Sequence, residues 1–303
     1  MQPATHDMLV RRAKHLGVLP AMPQILTTLN ESLGANSGMA DIDKIVETIS
    51  CDESLAAQCL RVANSALYGH RGDVATIRDA VLTLGLWRIR DLAFSCNLPL
   101  MFSGFRCAVP KETFWRHSLA TAFIAEKLGS DFMSPASQHV YLAGLLHDIG
   151  ILINALLFPE KFSEVLEEAT LEHSMVDCME QRLLGFTHAD SGRIVAEEWK
   201  LPREIAEVIE FHHHPEAQTG NNEVTVIVQA ANQMCWNSGL GYGYSLQAEA
   251  FCLLENPWRI LSERFPKANR IRPEDYVAVL EAHLFGAHEL ADRVFRLTPQ
   301  QAI

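Results

Sequence analysis

Four separated stretches of the chain carry residues that share one chemistry: His117, the doublet His147-Asp148, His188, and the consecutive His212-His213-His214. Neutral imidazole nitrogens and carboxylate oxygens are the donors that bind first-row divalent ions such as iron, manganese, nickel and zinc. Thirteen histidines against seven cysteines favour nitrogen and oxygen ligation over thiolate. The cysteines (Cys51, Cys59, Cys96, Cys107, Cys178, Cys235 and Cys252) are scattered and never spaced C-x-x-C, so they read as small buried side chains or idle thiols.

Such donors act together only if the elements carrying them converge. Consecutive helical residues point about 100° apart, so His147 and Asp148 can share an ion only where a helix ends and the chain turns. Gly150 is expected to supply that turn. His117 lies on the stripe of Phe114, Thr121, Ile124 and Leu128 and so faces inward from a helix expected over Lys111 to Leu128, stopped by Gly129. Taken singly, an inward histidine is more often a hydrogen-bonded core residue, and a histidine run at a helix end is favoured by the helix dipole. A polar core of hydrogen-bonded histidines without metal therefore stands beside the metal reading.

Nearly every other segment has helical period. Ile25, Leu26, Leu29 and Leu33 form one stripe behind Pro23; Asp41 and Asp52 are expected to cap the next two helices. Gly85 separates helices over Ile77–Leu84 and Leu86–Asn97. Helices are expected near Glu160–Leu171, Val176–Leu184 and Asp190–Trp199, and another runs from Leu201-Pro202 to the histidine cluster. The β-branched run Val224 to Val228 continues into Gln229-Ala230-Ala231-Asn232, which favours helix. Amphipathic helices return through Ala291. The fold class is all-α: a helical bundle (109–303, with a C-terminal extension from about 240) preceded by an N-terminal helical subdomain (1–108).

The chain has 303 residues, 48% hydrophobic and 20% charged, the balance of an ordinary globular protein. A net charge of -12 argues against generalised attraction to nucleic acid or anionic membrane. No secretory signal and no membrane-spanning run of about 20 apolar residues is expected, which places the protein in the cytoplasm.

His117, followed thirty residues later by His147-Asp148 and then by further histidines, resembles the HD superfamily of metal-dependent phosphohydrolases. Leu19-Pro20-Ala21-Met22-Pro23, Asp52-Glu53-Ser54-Leu55, Leu60-Arg61-Val62-Ala63-Asn64-Ser65 and Ala80-Val81-Leu82-Thr83-Leu84-Gly85 look like successive blocks of the HDOD family. So do His188-Ala189-Asp190-Ser191-Gly192, Trp199-Lys200-Leu201-Pro202 and His212-His213-His214-Pro215. The resemblance covers about residues 15 to 240 and implies an all-helical bacterial signalling domain without established catalysis. It implies as metal ligands His117, His147, Asp148, His188, His212 and His213, with Asp148 bridging.

Two departures bear on activity. Catalytic relatives carry an Asp where this chain has Asn232, and a Lys where it has Ile151. Two divalent ions bring +4 against the single negative charge of Asp148, so one ion is expected rather than two, and Asn232 offers only a carbonyl oxygen. Asp190 and Glu216 are the candidates for a replacement carboxylate, although each reads first as a surface residue. Two functions follow: a regulatory module acting through a protein partner, with the metal as sensor or structural pin, or a phosphohydrolase acting on a nucleotide or cyclic dinucleotide.

Overall fold

The computed structural model describes residues 8–9, 11–12, 21–34, 42–64, 74–133, 137–241 and 257–295. Every regular element among them is a helix. Asp41 and Cys252 lie outside the described residues.

The chain divides into two compact units. The smaller comprises Pro20–Gly104 and His288–Ile303. Its helices are α1 (Gln24–Gly34), α2 (Ile42–Ser50), α3 (Glu53–Ala63), α4 (Ile77–Leu84) and α5 (Leu86–Met101). The apolar stripes close on one another through Leu26, Leu29, Ile45, Ile49, Leu55, Val62, Val81 and Leu92, all buried. The Asp52 carboxylate accepts from the Leu55 amide at 2.9 Å and starts α3. Asn64 ends it, its side chain donating to the Leu60 carbonyl and bracketing the Val74 backbone by two further bonds. Between α4 and α5 the backbone of Gly85 takes φ +85°, a region that glycine alone enters freely. Helix α5 continues past Asn97 and through Pro99 to Met101.

The larger unit comprises Met1–Leu19 and Phe105–Ala287. It contains α6 (Lys111–Phe132), α7 (Val140–Leu146), α8 (Ile149–Leu157), α9 (Pro159–Leu171), α10 (Val176–Leu183), α11 (His188–Glu198), α12 (Arg203–Phe211), α13 (Glu223–Asn237) and α14 (Pro257–Arg264). The last helix, α15 (Pro273–Phe295), begins in this unit. The β-branched run from Val224 is helical in α13, buried over most of its length. Gly129 does not stop α6, which runs on to Phe132. Its missing side chain serves packing instead, since a Cβ there would stand 3.3 Å from the Val140 methyls of α7.

The stretch Val140–Leu157 is apolar enough over 18 residues to cross a membrane, contrary to expectation, but 94% of it is buried inside the protein. It is also two helices, α7 and α8, broken at His147-Asp148. That break, in the middle of the most apolar part of the chain, positions the site.

Candidate metal centre

Five elements bring the expected donors together. His117 projects inward from α6, and His147-Asp148 occupy the turn between α7 and α8. His188 is the first residue of α11, which is begun by a capping box: Thr187 accepts from the Asp190 amide, and Asp190 accepts from the Thr187 amide at 2.9 Å. His212 closes α12, and His213 follows it. Asn232 lies on α13. His117, His147 and His212 are buried to within 1%, Asp148 and His188 to within 2%, while His213 is half-buried.

Gly150 does not make the turn, contrary to the reading from sequence. It is the second residue of α8 with an ordinary negative φ, and the break falls at His147-Asp148 itself. Gly150 is needed for proximity: a Cβ there would lie 1.9 Å from the His188 carbonyl oxygen and 2.7 Å from the Gly192 amide nitrogen. Backbone-to-backbone contact of α8 with α11 brings His188 to Asp148.

The side chains converge on the Asp148 carboxylate from both sides. Its Oδ1 lies 3.2 Å from His188 Nε2 and 3.1 Å from His212 Nε2. Its Oδ2 lies 2.8 Å from His147 Nε2 and 3.8 Å from His117 Nε2. His213 Nε2 stands 2.9 Å from His188 Nε2. Adjacent ring centroids are 5.5 Å apart for His117–His147, 5.1 Å for His147–His212 and 4.1 Å for His212–His213. Two donor clusters result, sharing Asp148: one with His188, His212 and His213, the other with His117 and His147.

Proton placement decides what these short distances mean. His147 Nδ1 points at the Gly144 carbonyl at 2.7 Å, His212 Nδ1 at the Ile209 carbonyl at 3.0 Å, and His117 Nδ1 at the Leu240 carbonyl. A carbonyl oxygen only accepts, so each of these Nδ1 atoms carries a proton and each Nε2 is turned to the centre. Burial lowers the His117 pKa to about 4, helped by the neighbouring His147. Burial likewise lowers His212, and lowers His213 strongly with help from His212 and His188. These three rings are therefore neutral, the form that ligates metal. Burial pushes the Asp148 carboxyl up, but His147, His188 and His212 together hold it well below the usual carboxylate range, so it is ionised.

His147 Nε2, His212 Nε2, Asp148 Oδ1 and Asn232 Oδ1 are all buried without a hydrogen-bond partner. Orphaned polar atoms are rare in folded proteins, and each costs about 1–3 kcal/mol. Four in one place are explained if a cation belongs among them. Donors about 2.1 Å from one ion and at right angles stand about 3.0 Å apart, which fits the 2.8–3.2 Å separations around Asp148. The residues present fit a divalent ion.

One carboxylate was not foreseen from sequence. Glu180 of α10 is fully buried and accepts from His188 Nδ1 at 2.6 Å and from the His188 amide at 2.8 Å. Burial works against protonation of His188, but Glu180 and Asp148 outweigh it and raise its pKa well above 6.5. The two carboxylates suggested from sequence serve elsewhere: Asp190 in its capping box, Glu216 exposed beside His214. In the polar segment around Asp177–Arg182, nothing in residue type separates Glu180 from its exposed neighbours. The carbonyl of Leu240 is equally invisible in a sequence, being backbone.

Among solved structures, an HDOD domain protein of unknown function from Geobacter sulfurreducens is 27% identical, with a TM-score of 0.77 over 96% of this chain and 98% of its own. A protein of Marinobacter aquaeolei VT8, provisionally named for signal transduction, is 25% identical with a TM-score of 0.66, covering 93% of this chain and 61% of its own. An uncharacterized protein of Treponema pallidum is 24% identical over 218 residues; the match spans 71% of this chain and 41% of that relative's length. The HDOD domain model matches residues 19–215, more than half of the sequence, and this chain belongs to the HDOD domain family.

Proposed function

We propose that this protein is a cytoplasmic signal-transduction module that works by contact with a partner protein, with a divalent ion pinning its larger unit. The observation that carries the reading is the buried set of polar atoms without a hydrogen-bond partner on His147, Asp148, His212 and Asn232. His117, His147, Asp148, His188, His212 and His213 would hold the ion, with the Asn232 oxygen beside them. When bound, the ion supplies cross-linking charge. The chain's own residues do the rest: α6, the α7–α8 turn, α11 and α12 each contribute a donor, so ion binding and helix arrangement are linked.

Burial favours regulation over turnover. A catalytic ion keeps an open position for water or substrate, whereas these donors are within 2% of complete burial except His213. Ile151, where catalytic relatives carry a Lys, is also buried and offers a phosphate nothing. The name of the Marinobacter relative points the same way.

The second reading, a phosphohydrolase of a nucleotide or cyclic dinucleotide, draws on the sharing of Asp148 by two donor clusters. Elemental analysis of untagged protein, followed by a phosphoester panel with Mn, Fe, Ni and Mg, separates the two. The regulatory reading expects roughly one iron, manganese, nickel or zinc per chain, no appreciable turnover, and a change in stability or partner affinity on chelation. Turnover lost in Asp148→Ala and raised in Asn232→Asp supports the enzyme. Metal well below one per chain after reloading overturns both.

A further inference from the structure

We infer that Glu180 is a positioning residue that supplies the second negative charge of the centre, so that the first divalent ion is held by Asp148, His188, His212 and His213 rather than by the His117–His147 side. This rests on the metal reading above.

The two donor clusters differ in what stands behind their imidazoles. His147, His212 and His117 each lean on a neutral backbone carbonyl. His188 leans on a carboxylate, 2.6 Å from its Nδ1. That carboxylate is itself fixed: Oε2 also takes the His188 amide at 2.8 Å, and Oε1 takes Asn154 Nδ2 at 2.8 Å. Asn154 is held in turn by Ser191 Oγ, which donates to its Oδ1 at 2.6 Å. Glu180 and Asn154 are fully buried and Ser191 nearly so, which makes the chain a rigid support. The three groups donating to Glu180 are N–H groups, two of them neutral amides and the third the His188 imidazole. A buried carboxylate of this kind needs a cation close by.

Charge counting then selects the position. Asp148 alone leaves a divalent ion half-neutralised. Asp148 with Glu180 balances one such ion, and Glu180 stands behind a ligand of only one cluster. A carboxylate behind a ligating imidazole also raises the basicity of the ligand, and loss of such a partner costs 10–100-fold in metal affinity. On the other side, Asn232 brings an amide oxygen and no charge. The geometry thus orders the two positions, with the one served by Glu180 filling first.

The test is calorimetric titration of the full chain with Zn²⁺, wild type against Glu180→Gln, which keeps an oxygen acceptor and loses the charge. The expected result is a 10–100-fold weaker first ion in Glu180→Gln, with the circular dichroism of the metal-free protein unchanged. Long-range ¹H–¹⁵N spectra of the wild type give a readout that needs no variant. One histidine should show an Nε2 signal that moves on the first equivalent of Zn²⁺ and an Nδ1 proton far downfield, as a carboxylate-held imidazole does. Equal first-ion affinity in the two proteins, or a first equivalent that moves only rings lacking a downfield Nδ1 proton, overturns the inference and leaves the metal reading intact. Wild-type protein that takes up no Zn²⁺ overturns both.

Discussion

Gly150→Ala is the substitution whose consequences are most closely fixed by the structure. Two effects oppose each other. Alanine is the better helix former by about 1 kcal/mol, and Gly150 lies inside α8 with a negative φ, so intrinsic preference favours the change. Against it, the new Cβ would stand 1.9 Å from the His188 oxygen, 2.8 Å from its carbonyl carbon and 2.7 Å from the Gly192 nitrogen. All three are backbone atoms, so no rotamer change relieves the overlap. Normal contact requires α8 and α11 to separate by about 1.5 Å, and overpacking of that kind costs about 1–3 kcal/mol or more. Sterics win. His188 begins α11 and moves with it, and a coordinate bond tolerates only about 0.2 Å of displacement. We expect the metal-free protein to melt about 2–8 °C lower, and Zn²⁺ affinity to fall at least tenfold, about 1.4 kcal/mol. Thermal unfolding and calorimetric titration measure the two. Gly192→Ala is the comparison, because its Cβ meets the Ile209 Cγ2 methyl at 2.6 Å but no backbone atom closer than 3.4 Å; its effect should be smaller on both. A Gly150→Ala protein melting at or above wild type with undiminished Zn²⁺ affinity would refute the reasoning.

Further outcomes concern charge and capping. His117 is neutral when buried, its pKa lowered by burial from the ordinary 6.5 to about 4, so between these values the unfolded chain binds more protons. Its contribution, at most about 3 kcal/mol, is therefore intact above pH 6.5 and lost as pH falls toward 4. His212 and His213 share that sign; His188, raised by Glu180 and Asp148, contributes below 6.5 and loses its share as pH rises through its folded value. Urea midpoints of metal-free protein should fall from pH 7 to pH 5, and an unchanged midpoint counts against neutral buried rings. Asp148→Asn should abolish ion binding at both clusters, since the carboxylate is common to them; retention of a full equivalent by elemental analysis contradicts the shared site. Thr187→Ala removes one half of the capping box of α11 and should cost about 1 kcal/mol by urea unfolding.

The sequence was enough for the helices and for the list of donors. Period 3.6 placed α1 to α5 and α9 to α13 to within a few residues, because an amphipathic stripe is a local property and caps such as Asp52 are short-range. The histidines and Asp148 were legible because few residue types ligate a metal at all. What the tertiary structure alone decided was proximity and support. Gly129 and Gly150 looked like helix punctuation from their local backbone freedom, yet both lie inside helices where another helix packs against them, and at Gly150 the approach leaves no room for a Cβ. Glu180 looked like any surface glutamate, because burial is set by elements eight or more residues away in the chain. The Leu240 carbonyl has no residue signature. Asp190 and Glu216 read first as surface residues and only second as ligands; the path of the chain spends one on a helix cap and leaves the other in solvent. Residue type tells which atoms can bind an ion; the folded backbone determines where those atoms lie and which nitrogen bears the proton.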